Sequence, residues 1–314
     1  MKIHFDFDHI SAIKNPILTI GTFDGVHLGH QKIINRLNLE AKEQNGESVL
    51  FTFDPHPRIV LNPNDHGLLL LQTQEEKIEK LRRMGLQHLI VYPFTKAFSE
   101  TNASDFVRQF LVEKLNVHTI VVGYDHQFGK NREGSLEHLR KLAETFPFKV
   151  IEIPAHEIDE INVSSTKIRT ALLNGDIETA NCYLNEAYEL NAEIVKGRQL
   201  GRTIGFPTAN LSILDPIKLI PGFGVYAVEV RLSDSRIFRG MLNIGLKPSV
   251  TDDAKLSLEV HLLDFDGDLY GMKIAVSLLK RIRDEHRFNS LEELKQQIML
   301  DEESIRAFFN LVSP

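Results

Sequence analysis

Two patterns of hydrophobic residues divide this chain, and they constrain its fold more than any other feature. Between Ile17 and about Ile153, short apolar runs alternate with longer amphipathic stretches. The runs are ILTI, SVLFTF, HLIVY, HTIVVG and KVIEI, and the stretches between them cover residues 28–44, 73–84, 103–115 and 135–145. This alternation predicts βαβ units and a parallel sheet covered by helices on both faces. We therefore expect an α/β/α sandwich in the first half of the chain.

A further helical stretch follows the last of these strands. It begins at Ser164 or Ser165, whose hydroxyl groups suit an N-cap, and continues past Asn174-Gly175 to about Leu184. We expect this stretch to complete a first domain of residues 1–185.

Beyond Glu186 the pattern changes to strand-like segments separated by Gly and Pro. The segments are LNAEIV, VYAVEVRL, RIFRGMLNIG, KLSLEVHLLDF and MKIAVSLLKRI. Closely spaced strands with turn signals such as Asp266-Gly267 predict a small antiparallel β-barrel over residues 186–314. Ser290 stands three residues before Glu293, the spacing of a capping box, so the barrel should end in a helix.

Composition agrees with two globular domains and excludes several classes of protein. The 314 residues suffice for about two domains of 150 residues, and 42% hydrophobic with 25% charged residues is typical of globular chains. The formal net charge at pH 7 is −7, which gives no broad basic surface for nucleic acid. The single cysteine, Cys182, forms no internal disulfide and suits a reducing compartment.

The sequence also argues against export and membrane insertion. The N-terminus MKIHFDFDHI carries acids where a signal peptide needs a continuous apolar region, and the apolar runs are too short to span a bilayer. We expect a cytoplasmic protein, monomeric or weakly homo-oligomeric, that works on small molecules.

The segment GTFDGVHLGHQKII follows the first predicted strand and leads into a helix, at the sheet edge where α/β folds bind ligands. It contains neither a P-loop nor a GxGxxG pattern. His27 and His30 are three residues apart and share a helix face, so both could stabilise charge on a phosphoryl oxygen at the helix N-terminus. On spacing alone, two polar histidines at a helix start remain the better interpretation.

Three other stretches change that balance: FDPHPR at 53–58, VVGYDHQFGKNREG at 121–134 and SSTKIRTAL at 164–172. With the histidine segment, which resembles the HxGH signature of the nucleotidylyltransferase superfamily, they are similar in sequence and order to the adenylyltransferase half of the prokaryotic bifunctional riboflavin kinase/FAD synthetases. The resemblance implies a Rossmann-like domain that adenylylates FMN to FAD with ATP, releasing pyrophosphate.

The same resemblance implies roles for individual residues of the first domain. His27 and His30 would be catalytic. The ATP or its phosphates would be bound by Gly21, Phe23, Asp24, Gly25, Gly29, Ser164, Ser165, Thr166 and Arg169. The flavin would be bound by His56, Pro57, Asp125 and Arg132.

In the second domain, GRQLGRTIGFPTANL at 197–211 combines glycines at four-residue intervals with arginines that can pair with phosphates. Thr208 and Asn210 are two apart, so in an extended chain their oxygens, which are hard ligands suited to Mg²⁺, project to one side. As a bare sequence the segment equally fits a surface loop with an Asx or Ser/Thr turn.

The segment KLSLEVHLLDF alternates, with Leu256, Leu258, Val260 and Leu262 on one face and Ser257, Glu259 and His261 on the other. By that pattern alone, Glu259 is a solvent-facing strand residue.

Together with PGFGVYAVEV, GMLNIG and IRDEHRFNSLEEL, these segments resemble the riboflavin kinase domain along its whole length. The resemblance implies a kinase-type barrel that phosphorylates riboflavin to FMN with ATP and magnesium (Mg²⁺). Thr208 and Asn210 would hold the metal, and Glu259 would be the general base. ATP would also be bound by Gly197, Gly201, Arg202 and Gly205.

Two alternatives stay open at this point. The chain departs from the usual family pattern at Asp125 and at Lys247-Pro248-Ser249, so only one of the two activities could be retained. A flavin-sensing protein without turnover is the other alternative, because fold alone does not establish function.

Overall fold

The computed structural model describes residues 1–7, 9, 10, 12–62, 68–124, 126–154, 163–196, 205–247 and 255–312. The chain forms two compact units, residues 1–165 and 166–314. Among the residues described, no helix is both long and apolar enough to cross a bilayer.

A six-stranded parallel sheet forms the first unit. Its strands are β1 (Lys2–His4), β2 (Pro16–Ile20), β3 (Glu47–Asp54), β4 (His88–Pro93), β5 (Thr119–Gly123) and β6 (Lys149–Ile153). The strand order is β1-β4-β3-β2-β5-β6, and each neighbouring pair is parallel. The five predicted strands are confirmed, and the short edge strand β1 is an addition that the sequence analysis missed.

Helices cover both faces of this sheet, as the sequence predicted. They are α1 (Leu28–Glu43), α2 (Pro57–Leu61), α3 (Gln74–Arg83), α4 (Lys96–Ser99), α5 (Ala103–Phe106) and α6 (Leu136–Ala143), and a π-helical segment Val107–Lys114 continues α5. Neighbouring residues of β2 pack on opposite faces of the sheet, because Leu18 belongs to one apolar cluster and Ile17 belongs to the other. This alternation is what a sheet buried on both faces requires.

Two helices precede the barrel. They are α7 (Ser165–Leu173) and α8 (Ile177–Leu184), separated at Gly175, whose φ is 74°. Helix α8 is tied to the strands that follow it, because Asn181 Nδ2 donates to the carbonyl of Leu278 (2.8 Å) and Asn181 Oδ1 accepts from the N–H of Tyr188 (2.8 Å). Nearly all residues of the two helices belong to the compact unit of residues 166–314. The predicted functional boundary between residues 185 and 186 stays a prediction.

The second unit is a closed antiparallel barrel with the order β10-β11-β8-β7-β12-β9. Its strands are β7 (Tyr188–Val195), β8 (Ala209–Ile213), β9 (Gly224–Leu232), β10 (Ile237–Lys247), β11 (Lys255–Leu262) and β12 (Lys273–Arg283). Five of the six correspond to predicted strands. The sixth, β8, lies within the segment that was predicted only as a ligand-binding stretch or a loop.

The C-terminal helix α9 (Leu291–Val312) is longer than the predicted SLEELKQQI stretch. Its N-terminus is capped as predicted by Ser290 Oγ, which accepts from the N–H of Glu293 (3.2 Å). The carboxylate of Glu293 accepts from the N–H of Asn289 (3.0 Å). Along the helix, Asp301 forms a bidentate ion pair with Arg283 at the end of β12.

Candidate active sites

In the first unit, three of the predicted motifs meet at one edge of the sheet. Strand β2 lies between β3 and β5, and the three strands are parallel. Their carboxyl ends therefore lie side by side, and the segments that follow them start at Gly21, Pro55 and Tyr124. The sheet thus brings the histidine turn, the FDPHPR turn and the loop after β5 to the edge where α/β folds bind ligands.

His27 and His30 form a stacked pair at the start of α1. His27 is the N-cap residue, and its Nδ1 accepts from the N–H of His30 with 3.4 Å between the nitrogens. The two rings are 3.7 Å apart between centroids and nearly parallel at 18°. The ring of Phe23 lies 4.6 Å from that of His30. The predicted shared face is confirmed for the two histidines.

Two glycines of the motif make room for these rings. A Cβ at Gly21 would lie 2.9 Å from Cε2 of Phe23, and a Cβ at Gly29 would lie 3.3 Å from Cε1 of His27. A larger residue at Gly21 would displace Phe23, and one at Gly29 would press on the His27 ring. The glycines at these two positions therefore follow from side-chain packing.

Both imidazoles are held neutral at physiological pH. Burial, followed by the positive charge of Lys80, lowers the pKa of His27 to about 4. Burial, followed by His27, Lys80 and Lys77, lowers the pKa of His30 well below its ordinary value. Because Nδ1 of His27 is an acceptor, the proton of its neutral ring lies on Nε2, which is then a hydrogen-bond donor. The buried Nδ1 of His30 has no hydrogen-bond partner within the described residues.

The carboxylate of Asp24 is buried and supports the loop before α3. Its Oδ1 accepts from the N–H groups of Leu71 (3.0 Å) and Gln72 (3.4 Å). The predicted role of Asp24 at ATP is untested, and in this structure the side chain fixes the backbone of residues 71 and 72.

Sequence reasoning missed two buried lysines beside the histidine turn. Lys77 Nζ donates to the carbonyl of Thr22 (3.2 Å), and Lys80 Nζ donates to the carbonyl of Gly25 (3.4 Å). A signal was available, because Lys77, Lys80 and Leu81 are spaced i, i+3 and i+4 and share the buried face of α3.

The predicted flavin residues are distributed over two segments at the same sheet edge. His56 caps the short helix α2, its Nδ1 accepting from the N–H of Arg58 (3.2 Å), and Pro57 is the first helical residue. Arg132 is exposed in the turn after β5. Asp125 lies outside the described residues.

An aromatic cluster near this edge was not predicted. Phe53 at the end of β3 contacts Phe94 (5.4 Å between ring centroids) and Phe98 (5.8 Å), and all three side chains are half-buried. The rings are inclined at 77° (Phe53–Phe94) and 47° (Phe53–Phe98), so the cluster offers edges and faces that suit contact with a further aromatic ring. The signal that was missed is a phenylalanine near the carboxyl end of β3 (Phe53, in TFDP) and another directly after β4 (Phe94, in YPF).

The predicted phosphate residues of SSTKIRTAL divide between the two units. Ser164 is exposed, and Ser165 Oγ donates to the carbonyl of Asp24 (3.0 Å), which ties the start of α7 to the histidine turn. Thr166 and Arg169 belong to the second unit, and their role toward ATP stays a prediction.

In the second unit, the barrel brings Glu259, Thr208 and Asn210 together. Glu259 on β11 lies opposite Asn210 on β8, and Thr208 Oγ1 donates to Glu259 Oε2 (3.1 Å). On the other side, Asn243 of β10 is the register partner of Glu259, and Ser257 Oγ donates to Glu259 Oε1 (3.3 Å). The alternation of β11 placed Ser257 on the face of Glu259, but neither Ser257 nor Asn243 was predicted as a site residue, and the proximity of Asn243 depends on the register of strands.

The strand pattern predicted the surroundings of β11 only in part. Glu259 is half-buried and hydrogen-bonded by two hydroxyl groups, so its interpretation as a solvent-facing residue is wrong. Leu256 is 47% exposed and Ser257 is 8% exposed, the reverse of the expected facing near the start of the strand. Gly205 has a φ of +89°, whereas Gly197, Gly201 and Arg202 lie outside the described residues.

The donor set around Glu259 fits a hard divalent cation. A hydroxyl that donates its proton keeps its oxygen lone pairs, so Thr208 Oγ1 can hydrogen-bond Glu259 and still act as a ligand. Hydroxyl, amide and carboxylate oxygens are the ligands that Mg²⁺ takes beside nucleotide phosphates.

Comparison with known proteins identifies both units. Residues 9–167 match the family model described as FAD synthetase, and residues 184–309 match that described as riboflavin kinase. Bifunctional riboflavin kinase/FMN adenylyltransferases of Haemophilus influenzae and Escherichia coli K12 are each 38% identical to this chain. The first alignment covers 95% of this chain and 96% of the relative, and the second covers 95% and 94%.

A solved structure has the same fold over nearly the whole chain. A crystal structure from Streptococcus pneumoniae, named a macrolide-efflux protein, superposes with a TM-score of 0.87 at 32% identity and covers 97% of this chain and 98% of that one.

The class of protein is therefore a two-domain transferase of flavin cofactor synthesis, with a nucleotidylyltransferase unit followed by a kinase barrel. Within that class, the chain belongs to the bifunctional riboflavin kinase/FMN adenylyltransferase family.

Proposed function

We propose that this chain phosphorylates riboflavin to FMN in its barrel unit and adenylylates FMN to FAD in its α/β unit, using ATP in both steps. The observation that carries the proposal is that one chain matches both family models, each over the unit that holds the corresponding chemical groups. Retention of the histidine pair and of Glu259 favours a catalyst over a flavin sensor, since binding alone needs neither.

In the adenylyl transfer, an oxygen of the FMN phosphate attacks the α-phosphorus of ATP, and the bond to pyrophosphate breaks. No general base is required, because the attacking phosphate is already ionised near neutral pH. His27 and His30 donate hydrogen bonds to the transferring group, and the start of α1 supplies N–H groups to the polyphosphate. Gly21, Gly25, Gly29, Ser164 and Ser165 would complete this site in the first unit, and the role of Arg169 toward ATP stays a prediction.

The flavin of that reaction would lie at the same sheet edge. His56, Pro57, Asp125 and Arg132 are the proposed flavin residues. The half-buried rings of Phe53, Phe94 and Phe98 support this location, since they offer partly exposed apolar contacts for an aromatic ring next to the polar turn.

In the kinase reaction, the 5′-hydroxyl of the riboflavin ribityl chain attacks the γ-phosphorus of ATP, and ADP leaves. Glu259 accepts the proton of that hydroxyl as general base. The hydrogen bonds from Thr208 and Ser257 hold both oxygens of its carboxylate in place.

Mg²⁺ is the proposed metal of the barrel site. Thr208 and Asn210 would hold it, and when bound it would neutralise charge on the ATP phosphates. We further propose a cytoplasmic enzyme that is a monomer or a weak homo-oligomer and has small molecules as its ligands.

The test is a chromatographic time course that resolves riboflavin, FMN and FAD. Full-length protein is incubated with ATP and Mg²⁺, starting from riboflavin in one reaction and from FMN in the other. FMN followed by FAD is expected. Accumulation of FMN without FAD would show a single activity, and flavin binding without turnover would favour the sensor.

Reciprocal variants assign each step to its unit. Glu259→Ala should abolish FMN formation and leave FAD formation from supplied FMN intact, and His27→Ala should do the reverse. Each loss should be about 100-fold or more, as expected for removal of a general base or of a transition-state donor. Equal loss of both activities in either variant would contradict separate sites.

A further inference from the structure

Lys77 and Lys80 of α3 are buried, with 8% and 5% of their surface exposed. An ammonium group removed from water is costly unless it is well paired. Burial lowers the pKa of Lys77 to about 8, although Asp24 and Asp54 act in the opposite direction. The lysine is therefore mainly charged at neutral pH, and the fold keeps this charge in the interior despite its cost.

Both side chains donate to the same turn of backbone. Their hydrogen bonds end on the carbonyls of Thr22 and Gly25, between β2 and the start of α1. Phe23 and Val26 of that turn have φ values of 49° and 38°, which are rare for residues with a side chain and most of all for a β-branched one. A strained turn persists only where its surroundings fix it, and here the two ammonium groups contact it directly.

The direction of these carbonyls matters for a phosphate site. A turn that binds an anion must present N–H groups to the ligand, and its carbonyl dipoles would repel the phosphate if they faced outward. Hydrogen bonds from the buried ammonium groups hold two carbonyls of this turn toward the interior. The same positive charges lie near the histidine pair and favour its neutral form.

We propose that Lys77 and Lys80 are positioning residues for adenylyl transfer, which fix the turn of residues 22–25 and thereby the position of His27 and His30. The inference rests on the proposed adenylyltransferase function. It assigns a role to α3, an element that contributes none of the residues implied by the family resemblance.

The test uses Lys77→Met and Lys80→Met in the full chain. Methionine keeps the length and apolar character of the lysine stem and removes the ammonium group. We expect kcat for FAD formation from FMN to fall about tenfold or more, the cost of misplacing a catalytic group. Lys42→Met, which removes an exposed lysine near the end of α1, is the matched control and should keep both activities.

Riboflavin phosphorylation by the same preparation reports the integrity of the rest of the chain. It should be unchanged in both lysine variants. Hydrogen exchange of the β2 and β3 amides shows whether the sheet remains folded, and the proposal expects unchanged protection. Lost protection accompanying the lost activity would overturn it, because the lysines would then support the fold as a whole.

An NMR titration of the histidine rings separates positioning from bulk stability. Loss of the Lys80 charge should move the titration of His27 to higher pH. Lys80→Arg, which keeps the charge, should restore both the wild-type titration and FAD formation, and a failure of this rescue would count against positioning by the charge. If both lysine variants form FAD as fast as the wild-type protein does, the inference is overturned and the proposed function still stands. A wild-type protein that makes no FAD would instead refute the adenylyltransferase assignment.

Discussion

At the scale of single residues, the neutrality of the histidine pair determines how it can act. A neutral imidazole donates one hydrogen bond and adds no charge, so His27 and His30 can stabilise a phosphoryl oxygen without holding the pyrophosphate product by ion pairing. Their position was predictable from the HxGH motif. Their protonation state was not, because it depends on burial and on lysines about 50 residues away in sequence.

The first prediction concerns this protonation state. The folded pKa of His27, about 4, lies below the ordinary value of 6.5, so the ring should stay neutral as the pH falls from 8 to 5.5. Its ring proton resonances, assigned by comparison with His27→Gln, should not move over that range. A titration midpoint near 6.5 would show that the ring is exposed and would contradict the buried, stacked pair.

The second prediction concerns Lys77 and the stability of the first unit. Its folded pKa of about 8 lies below the 10.5 of an unfolded lysine, so between these values the unfolded state binds more protons. Stability should therefore rise with pH from 8 toward 10.5, by about 3 kcal/mol if the whole shift is expressed. Urea unfolding of the wild-type protein at pH 8 and pH 10 measures this rise. Lys77→Met should lack it, and a parallel rise in the variant would assign the effect to other groups.

At the scale of elements, the sequence predicted those with a strong hydrophobic period and missed those without one. Strand β1 is three residues long and pairs on one side only, which leaves little pattern to detect. Strand β8 begins at Ala209 inside PTAN, where Gly and Pro favour a loop. It becomes a strand because the barrel closes through it, between β7 and β11, and this placement sets Asn210 opposite Glu259.

Two of the ion pairs that helix α9 forms with the barrel strands and loops should differ in strength. Asp301 is 2% exposed and accepts from Arg283 and from Gln297. Asp301→Ala leaves the guanidinium of Arg283, whose side chain is only 16% exposed, without its carboxylate. It should destabilise the second unit by about 3 kcal/mol.

The matched control lies on the same helix. Arg306 pairs with Asp264, whose side chain is 75% exposed. Because solvent screens this pair, Asp264→Ala should change stability little. Urea unfolding of both variants gives the comparison, and an equal loss in the two would show that burial does not control the strength of these pairs.

At the scale of the whole molecule, the boundary between the two units depends on which neighbour the helices before Glu186 pack against. The sequence placed the helical stretch before Glu186 with the α/β domain, because it follows that domain along the chain. Contacts group it with the barrel, and the two family models leave residues 168–183 unassigned. Periodicity locates a helix, but which neighbour it packs against depends on tertiary contacts that no local pattern encodes.

Two fragments test the boundary. In α8, Ile177, Ala180 and Leu184 are buried, and Asn181 bonds to the backbone of β7 and β12. A fragment 164–314 should fold and phosphorylate riboflavin. A fragment 186–314 lacks this helix and should be less stable by about 4 kcal/mol, the cost of exposing the apolar surface beneath it. Equal urea midpoints for the two fragments would instead favour a kinase domain that begins at residue 186, with α7 and α8 serving the adenylyltransferase.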